Sequence, residues 1–188
     1  MRYLRRILGL IYNILNAAFY KSLHHKAIIY YSVRVGGKKY LSIGKNTVVQ
    51  RHGWLWALKY DDADPILEIG SNCAIGDFSH IVAIRSVRID DDVLIANNVY
   101  ISDNLHEYAD IAMPVKNQPL IFKGAVKIGS GAWIGENACI IGASVGKNSV
   151  VGANAVVTSD IPDYCIAVGS PARVIKRFDA TSKTWVKV

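Results

Sequence analysis

One histidine of this chain is placed where it could act as a general base. The sequence has five histidines, and His106 stands where a regular pattern in the upstream residues stops. A neutral imidazole can remove a proton from a hydroxyl group near pH 7, which speeds such reactions by roughly 10²–10⁴-fold. Asp103 and Glu107 lie close by in sequence and could orient the ring, and His80 ends an upstream repeat unit and could face a groove. We expect solvated or packing roles for His24, His25 and His52.

Two cations near the end of the chain, Arg173 and Lys176, could bind phosphate groups. The planar fork of an arginine and the point charge of a lysine both suit a multiply phosphorylated nucleotide. From the residue types alone, a solvated basic tail remains the alternative.

A six-residue period predicts the fold that positions these groups. An aliphatic residue recurs at every sixth position, and four places after it stands a small or short side chain. Helices repeat their apolar face every 3.6 residues and strands every 2, so a sustained period of six indicates a short strand plus a turn. Three strands would close one triangular coil, with the aliphatic side chains inside and with Gly and Asn taking positive φ at the bends. A β-sandwich is the alternative that fits less well. The aliphatic positions are Ile69, Ile75, Ile81, Ile89, Ile95, Ile101, Ile128, Ile134, Ile140, Val145, Val151 and Val157, and the small positions include Thr47, Cys73, Ser79, Ala132, Ala138, Ser149 and Ala155.

The period fails at three places. Two extra residues stand near positions 85–86, and one residue is missing between Ile140 and Val145. The register is lost altogether over about 103–124, a segment that begins beside His106. We predict that this segment is a loop extruded from the coil, and long loops inside compact domains are usually functional or disordered.

Composition and charge restrict the partners. The chain has 188 residues, of which 51% are hydrophobic, which suits one packed domain with short attachments. Its net charge of +7 favours anionic partners such as phosphate groups or acidic lipid, whereas no nucleic-acid module is visible. The three cysteines, Cys73, Cys139 and Cys165, are predicted to be reduced and structural, and no CxxC pair indicates a metal site.

The first 40 residues differ from the rest. A basic amphipathic helix is predicted at the start, followed by a leading segment up to residue 40, and the run is too short and too polar to span a bilayer. The helix could lie on an anionic membrane surface. Alternatively, its apolar side packs on the end of the coil or on a neighbouring subunit. The basic residues are Arg2, Arg5 and Arg6, and the apolar ones are Leu4, Ile7, Leu8, Ile11, Leu15 and Phe19.

The segments AWIG, VVGANAVVTSDIP and AVGSPARVI, within residues 126–178, carry a family resemblance. They resemble the hexapeptide-repeat acyltransferases, which include galactoside, serine, chloramphenicol and surface-polysaccharide O-acetyltransferases. Residues 91–107 are similar to the family segment that ends in the catalytic histidine. The resemblance implies an all-β solenoid, a left-handed parallel β-helix, over 41–178, with a short tail at 179–188.

The resemblance also implies roles for particular residues. His106 occupies the position of the general base, and Trp133 that of the aromatic residue lining the coenzyme A groove. Ala153 and Thr158 match positions that contact the pantetheine or adenine end, and the basic pair Arg173 and Lys176 matches positions that meet the phosphates. In members with galactoside-like acceptors an Asn often precedes the histidine segment; this chain has Ser79 and His80 there, and these with Asp103 are the predicted acceptor contacts.

We therefore expect an acetyl-CoA-dependent O-acetyltransferase that needs no metal. The expected acceptor is a sugar hydroxyl of a bacterial surface polysaccharide or its lipid-linked precursor. The resemblance implies a homotrimer whose groove and histidine come from neighbouring subunits. The expected location is the cytoplasm, with peripheral contact at the inner membrane face and no contact with nucleic acid.

Other functions stay open at this stage. The acceptor could instead be an amino sugar nucleotide, serine or another small molecule, although the large helical domain usual in serine acetyltransferases is not seen. A zinc carbonic anhydrase on the same fold would need three histidines converging between subunits. A non-catalytic trimeric interaction protein is the alternative outside enzymes.

Overall fold

The computed structural model describes residues 2–188, with side chains from residue 7 onward. One helix opens the chain and short strands follow. The helix is α1 (Arg2–Asn16), and 3₁₀ turns lie at Ala17–Phe19, Lys38–Tyr40 and Val115–Asn117. The strands are β1 (Ser22–Leu23), β2 (Ile28–Ile29), β3 (Arg34–Gly36), β4 (Leu41–Ile43), β5 (Val48–Val49), β6 (Trp54–Ala57), β7 (Ile66–Ile69), β8 (Ala74–Ile75), β9 (His80–Ala83), β10 (Ser86–Ile89), β11 (Leu94–Ile95), β12 (Tyr100–Ser102), β13 (Asn104–His106), β14 (Leu120–Phe122), β15 (Val126–Ile128), β16 (Trp133–Ile134), β17 (Cys139–Ile141), β18 (Val150–Val151), β19 (Val156–Val157), β20 (Cys165–Val168), β21 (Arg173–Asp179) and β22 (Thr184–Lys187).

The strands form three main sheets that the chain visits in rotation. Sheet I has the order β1-β4-β7-β10-β15, sheet II begins β2-β5-β8-β11-β16-β18-β20, and sheet III has the order β3-β6-β9-β12-β17-β19. Pairing within these runs is parallel, and β21 and β22 then extend sheet II as antiparallel strands. Each strand thus pairs with the strand one turn of the chain away, about 4.8 Å distant.

The repeat positions form the core between the sheets. All twelve aliphatic positions of the six-residue period are at most 2% exposed, and so are the small corner positions, for example Ala132, Ala138 and Ala155. This burial confirms the predicted inward face. The predicted geometry of the bends needs one correction, because positive φ falls on Asn residues such as Asn72 (58°) and Asn137 (59°) rather than on the glycine after each aliphatic residue.

Close approach between turns explains those glycines. A Cβ on Gly76 would lie 2.4 Å from the Ala96 carbonyl carbon, and one on Gly135 would lie 2.6 Å from the Ala153 nitrogen. A side chain at either position would push neighbouring turns apart, so the glycine is required for stacking and not for backbone conformation.

The boundaries also differ from those expected. Parallel pairing begins at Ser22, which pairs with Ser42, rather than near residue 41. At the other end, β22 reaches Lys187 and pairs with β21, where a tail was predicted from residue 179. The leading segment and the tail are therefore parts of the sheets.

The segment after β12 leaves the parallel sheets as an antiparallel hairpin. Strands β13 and β14 pair Asn104 with Phe122 and His106 with Leu120. Between them, the buried Gln118 side chain donates to the carbonyl oxygens of Asp110 and Met113, both at 2.8 Å, and holds the loop together.

Helix α1 packs against β2 through its polar and small residues. Gly9 and Asn13 are buried, and the Asn13 amide donates a hydrogen bond to the Ala27 carbonyl. One expectation was that the apolar side of α1 packs on the end of the coil. In the structure this apolar side faces away from the coil. The side chains of Arg2, Leu4, Arg5 and Arg6 lie outside the described side chains. Within the described residues, the helix is not long and apolar enough to cross a membrane.

Candidate active site

His106 lies at the end of β13, where the hairpin departs from sheet III. Its side chain is exposed, and its backbone is held opposite Leu120. The Leu120 N–H donates to the Tyr60 hydroxyl at 2.8 Å, which ties the hairpin to the loop after β6. The imidazole is therefore carried on a braced strand rather than on the mobile end of a loop.

A largely apolar cavity of about 360 Å³ opens beside His106. Its walls come from the outer surface of sheet III and from the hairpin. Two clefts of similar size, about 380 and 410 Å³, lie along sheet I, but their charged groups include the pairs Arg88–Glu68 and Lys127–Asp90. The cavity at the hairpin is lined by Trp54, Trp56, Leu58, His80, Val82, Tyr100, Asn104, Leu105, His106 and Leu120.

Three aromatic rings form the floor of this cavity, which we call the aromatic ladder: Trp54, His80 and Tyr100. They occupy matching positions of β6, β9 and β12. The Trp54 and His80 rings stack with centroids 4.3 Å apart and an interplanar angle of 7°, and Tyr100 meets His80 edge-on at 5.4 Å. Trp56 packs edge-on against Trp54 at 5.2 Å. The result is a continuous aromatic surface on one face of sheet III.

His80 was predicted from the sequence as a site residue, but its aromatic neighbours were not. The signal was present as the Trp54-x-Trp56 pattern, in which two tryptophans at period two point to the same side of a strand. Gly36 lies opposite Trp56 in β3, and a Cβ there would come within 2.6 Å of the indole ring. A glycine is therefore needed for the Trp56 ring to lie flat over the backbone.

Two polar atoms of the aromatic ladder are buried without a partner. Among the described residues, neither Trp54 Nε1 nor His80 Nε2 makes a hydrogen bond. Burial lowers the pKa of His80, because the charged imidazolium is desolvated there. A neutral His80 avoids burying a charge in this apolar surface.

Asp103 does not face the cavity. It is fully buried, and its carboxylate accepts hydrogen bonds from the backbone N–H groups of Ile84 (2.9 Å), Arg85 (2.7 Å) and Ser86 (2.8 Å). Arg85 and Ser86 are the two extra residues noted in the sequence, and Ile84 directly precedes them. The burial is at odds with a contact to an acceptor, so we assign Asp103 a structural role at this bulge.

Two further expectations near His106 differ from the structure. Ser79 is 1% exposed, and its hydroxyl donates to the Ala96 carbonyl at 3.1 Å, so it packs a corner instead of facing an acceptor. The Glu107 carboxylate accepts from the N–H groups of Tyr108 and Ala109. Both carboxylates predicted to orient the imidazole are engaged with main chain.

The residues expected to contact coenzyme A lie on and around sheet II. Trp133 is half exposed and shares one cross-strand ladder with Val150, Ile166 and Lys176. Arg173 is exposed at the start of β21 and lies opposite Val168. Trp133 and the two cations are therefore carried by one side of the molecule.

Ala153 is exposed in the turn between β18 and β19, and Thr158 is exposed directly after β19. The predicted donor-binding residues thus continue around a corner of the molecule. His106 stands on the hairpin of sheet III, and Trp133 stands on sheet II. His106 and Trp133 therefore stand on different sheets of one chain.

Comparison with known proteins shows what the repeat region resembles. A family model described as "Hexapeptide repeat of succinyl-transferase" matches residues 66–103 and 125–159. The chain is 34% identical over 129 residues to the putative lipopolysaccharide biosynthesis O-acetyl transferase WbbJ of Escherichia coli K12, and the alignment covers 65% of this chain. It is 32% identical over 136 residues to the galactoside O-acetyltransferase of the same organism, covering 72% of this chain. Over its repeat region the chain is therefore similar to hexapeptide-repeat proteins and to proteins named as O-acetyltransferases.

These alignments span 66% of the length of each E. coli relative, just under two thirds. A further relative, the probable acetyltransferase Rv3034c of Mycobacterium tuberculosis, is 40% identical over 111 residues but is covered over only 37% of its length. The family model leaves out residues 104–124, which are the hairpin and its loop. The segment that carries His106 therefore lies between the two matched stretches.

Solved acyltransferase structures share the overall fold. A variant of AntD, an N-acyltransferase from Bacillus cereus solved with dTDP-4-amino-4,6-dideoxyglucose and coenzyme A, aligns with a TM-score of 0.74 at 20% identity over 91% of both chains. The acetyltransferase domain of PglB from Neisseria gonorrhoeae, solved with acetyl coenzyme A, aligns with a TM-score of 0.56 at 19% identity over 79% of this chain and 57% of that one.

Proposed function

We propose that this protein is an acetyl-CoA-dependent O-acetyltransferase that acetylates a sugar hydroxyl, with His106 as the general base. The observation that carries the proposal is the position of His106 at the rim of the aromatic cavity. The three parallel sheets, which the chain visits in rotation, are interpreted as a left-handed β-helix, the fold expected from the family resemblance. The names of the two E. coli relatives, both O-acetyltransferases, support the same reaction.

The cavity suits a sugar ring. One face of a pyranose exposes C–H groups that pack well on an aromatic surface such as the aromatic ladder, and the edge of the ring carries hydroxyls. Pockets for small ligands commonly combine apolar walls with a few convergent polar groups. Here the aromatic ladder would supply the apolar wall, and His106 at the rim would meet the hydroxyl that reacts.

The reaction follows from this arrangement. The acceptor oxygen attacks the thioester carbonyl carbon of acetyl-CoA while His106 takes the hydroxyl proton. A backbone N–H would hold the oxyanion that forms. The carbon–sulfur bond then breaks, the acetyl ester is released, and the imidazolium returns its proton to the departing thiolate. In this scheme no metal takes part.

The donor is proposed to bind along sheet II. Trp133 would pack against the pantetheine arm, with Ala153 and Thr158 contacting the pantetheine or adenine end and Arg173 and Lys176 meeting the phosphates. Because His106 and Trp133 stand on different sheets, we place the complete site between two neighbouring subunits of a trimer. The acceptor would be part of a surface polysaccharide or its lipid-linked precursor, made at the cytoplasmic side of the membrane.

A second acceptor class is an amino sugar nucleotide. The AntD complex, which contains dTDP-4-amino-4,6-dideoxyglucose, favours it through a shared fold. The O-acetyl product is an ester and the N-acetyl product an amide. Mild alkali therefore removes the acetyl group from the first product but not from the second.

The test is a thiol-release assay with acetyl-CoA and a panel of sugars, sugar nucleotides and amino acids. We expect release of coenzyme A with a neutral hexose or hexoside, and an alkali-labile product by mass spectrometry. Release only with amino sugar nucleotides, giving alkali-stable product, would transfer the assignment to N-acetylation. No release with any acceptor of the panel would contradict the acetyltransferase proposal.

A further inference from the structure

Helix α1 turns its apolar side away from the protein. Its inner side consists of Gly9 and Asn13, which are buried, with Tyr12 and Asn16 half-buried beside them. The glycine lets the helix approach β2 closely, because a Cβ there would lie 3.1 Å from the Ile28 side chain. This polar attachment fixes which side of the helix faces outward.

Over residues 7–16, whose side chains the structure describes, the outward side consists of aliphatic residues. At 100° per residue, the six exposed aliphatic residues of the helix fall within an arc of roughly 160°. Ile14 is 75% exposed and Leu15 is 70% exposed, and Phe19 continues the surface at 64%. Exposed contiguous apolar surfaces of this kind mark interaction sites. We call this surface the apolar face; its residues are Ile7, Leu8, Leu10, Ile11, Ile14, Leu15 and Phe19.

The part of the chain that carries the apolar face is strongly cationic. Residues 1–60 contain 11 of the 22 Lys and Arg residues of the chain and none of its 15 Asp and Glu residues. Lys38 lies directly at the helix: its ammonium group donates to Asn16 at 2.8 Å and sits 5.5 Å from the Tyr12 ring centroid. Three cations of this region form ion pairs at the surface: Lys21 with Glu68 at 3.1 Å, Arg51 with Asp77 at 2.6 Å and Lys59 with Asp64 at 2.6 Å.

We infer that helix α1 is a peripheral membrane anchor that lies in the plane of an anionic lipid surface. The apolar face would enter the boundary between head groups and acyl chains, and the cations of residues 1–60 would meet the acidic head groups. A lipid surface supplies both complementary features at once. A second copy that met this face through the same surface would instead bring two cationic regions together.

The inference goes beyond the proposed reaction and does not depend on it. Vesicle binding is measured without acyl donor or acceptor, so a failure of the acetyltransferase proposal would leave the result unaffected. Conversely, an enzyme that acetylates soluble sugars could prove not to bind lipid.

The test is sedimentation of the full chain with vesicles. One set contains phosphatidylcholine with about 30% phosphatidylglycerol, and the other contains phosphatidylcholine alone. The test variant is Ile14→Asp with Leu15→Asp, which places charge on the apolar face at two exposed positions where no core packing is lost. The matched control is Ile111→Asp, since Ile111 is a fully exposed aliphatic residue of the hairpin loop.

We expect the unmodified chain and the Ile111→Asp variant to bind the anionic vesicles, and the double variant to bind at least tenfold more weakly. Binding should also fall when the salt concentration is raised from 0.1 to 0.5 M, because head-group contacts are screened. Circular dichroism should show the same folded spectrum for all three proteins. Equal recovery of the double variant with anionic vesicles would overturn the inference.

A subunit interface at the apolar face would give a different result. In that case the double variant would have a lower mass by light scattering without lipid, and the unmodified chain would not sediment with vesicles. That outcome would identify the partner of the apolar face as a second copy of the chain and not a membrane.

Discussion

At the scale of single residues, two imidazoles in different surroundings share one cavity. His80 is half-buried against Trp54, and desolvation lowers its pKa, so it is held neutral and serves as part of the wall. His106 is exposed at the rim, at the end of a braced strand. A general base that exchanges protons in each cycle requires both access to solvent and a fixed location. Of these two histidines, His106 combines both.

Replacing His106 tests the base directly. We expect His106→Ala to lower kcat for acetyl transfer by roughly 10²–10⁴-fold while the KM for acetyl-CoA stays nearly constant, because proton removal is lost and donor binding is not. The matched control is His52→Asn: His52 is exposed and has a φ of 58°, a conformation that Asn tolerates. Unchanged kcat in His106→Ala at saturating acceptor would show that another group is the base.

The aromatic ladder predicts a separation of the two substrates. Trp54→Leu keeps an apolar side chain but removes the stacking surface, so we expect the KM of the sugar acceptor to rise about tenfold. Trp133→Leu should instead raise the KM of acetyl-CoA and leave that of the acceptor unchanged. Steady-state kinetics with each substrate varied in turn measures both effects. A rise in the same KM for both variants would place the two tryptophans in one subsite.

At the scale of elements, one buried carboxylate fixes the hairpin relative to sheet III. Asp103 bonds to three successive N–H groups of the bulge before β10, and the Asn104 amide donates to it at 2.8 Å. The backbone carbonyl of Asp103 also accepts from the Lys123 N–H at 2.8 Å, on the returning side of the hairpin. The same residue thus satisfies the irregular turn and positions the strand that carries His106.

Asp103→Asn should therefore destabilise the fold. An amide NH₂ in place of one carboxylate oxygen would face backbone N–H donors and lose charge-assisted hydrogen bonds, at a cost of about 3 kcal/mol of unfolding free energy. The matched control is Asp160→Asn, which affects one hydrogen bond, to the Ser144 N–H, at an exposed turn and should cost less than about 1 kcal/mol. Urea unfolding measures both. Equal losses of unfolding free energy in the two variants would mean that the buried hydrogen bonds of Asp103 contribute no more than the single exposed one of Asp160.

At the scale of the whole molecule, the proposed base His106 and the proposed donor-binding ring of Trp133 are carried by different sheets. His106 stands with sheet III, whereas Trp133 and Lys176 share a ladder of sheet II. In a cyclic trimer, sheet III of one subunit would lie against sheet II of its neighbour. The proposed active site would then exist only in the assembly.

Mixed oligomers test that arrangement. His106→Ala subunits and subunits with Arg173→Ala and Lys176→Ala are each expected to be nearly inactive. If each site takes its base from one subunit and its cations from the next, a 1:1 mixture that is unfolded and refolded together should recover about a quarter of the normal activity. Recovery should be absent if a single subunit holds the complete site. Each variant refolded alone serves as the control.

Several features were predictable because they are written in the order of residues. The six-residue period marked the buried aliphatic positions, and its loss over 103–124 marked the hairpin. The position of His106 beside that loss made it a candidate base. Each of these signals depends on neighbours within a few residues, so a single sequence is sufficient to reveal it.

Contacts between distant parts of the chain were not predictable in this way. Residue order alone is enough to give a fold of short strands with an inward aliphatic row, a break at His106 and a cationic first third. The folded chain was needed to see that Trp54, His80 and Tyr100 share one surface, that Asp103 turns inward, and that helix α1 docks through Gly9 and Asn13. These outcomes depend on the register between turns and on which face of an element packs, and both are set by the free energy of contacts between residues far apart in sequence.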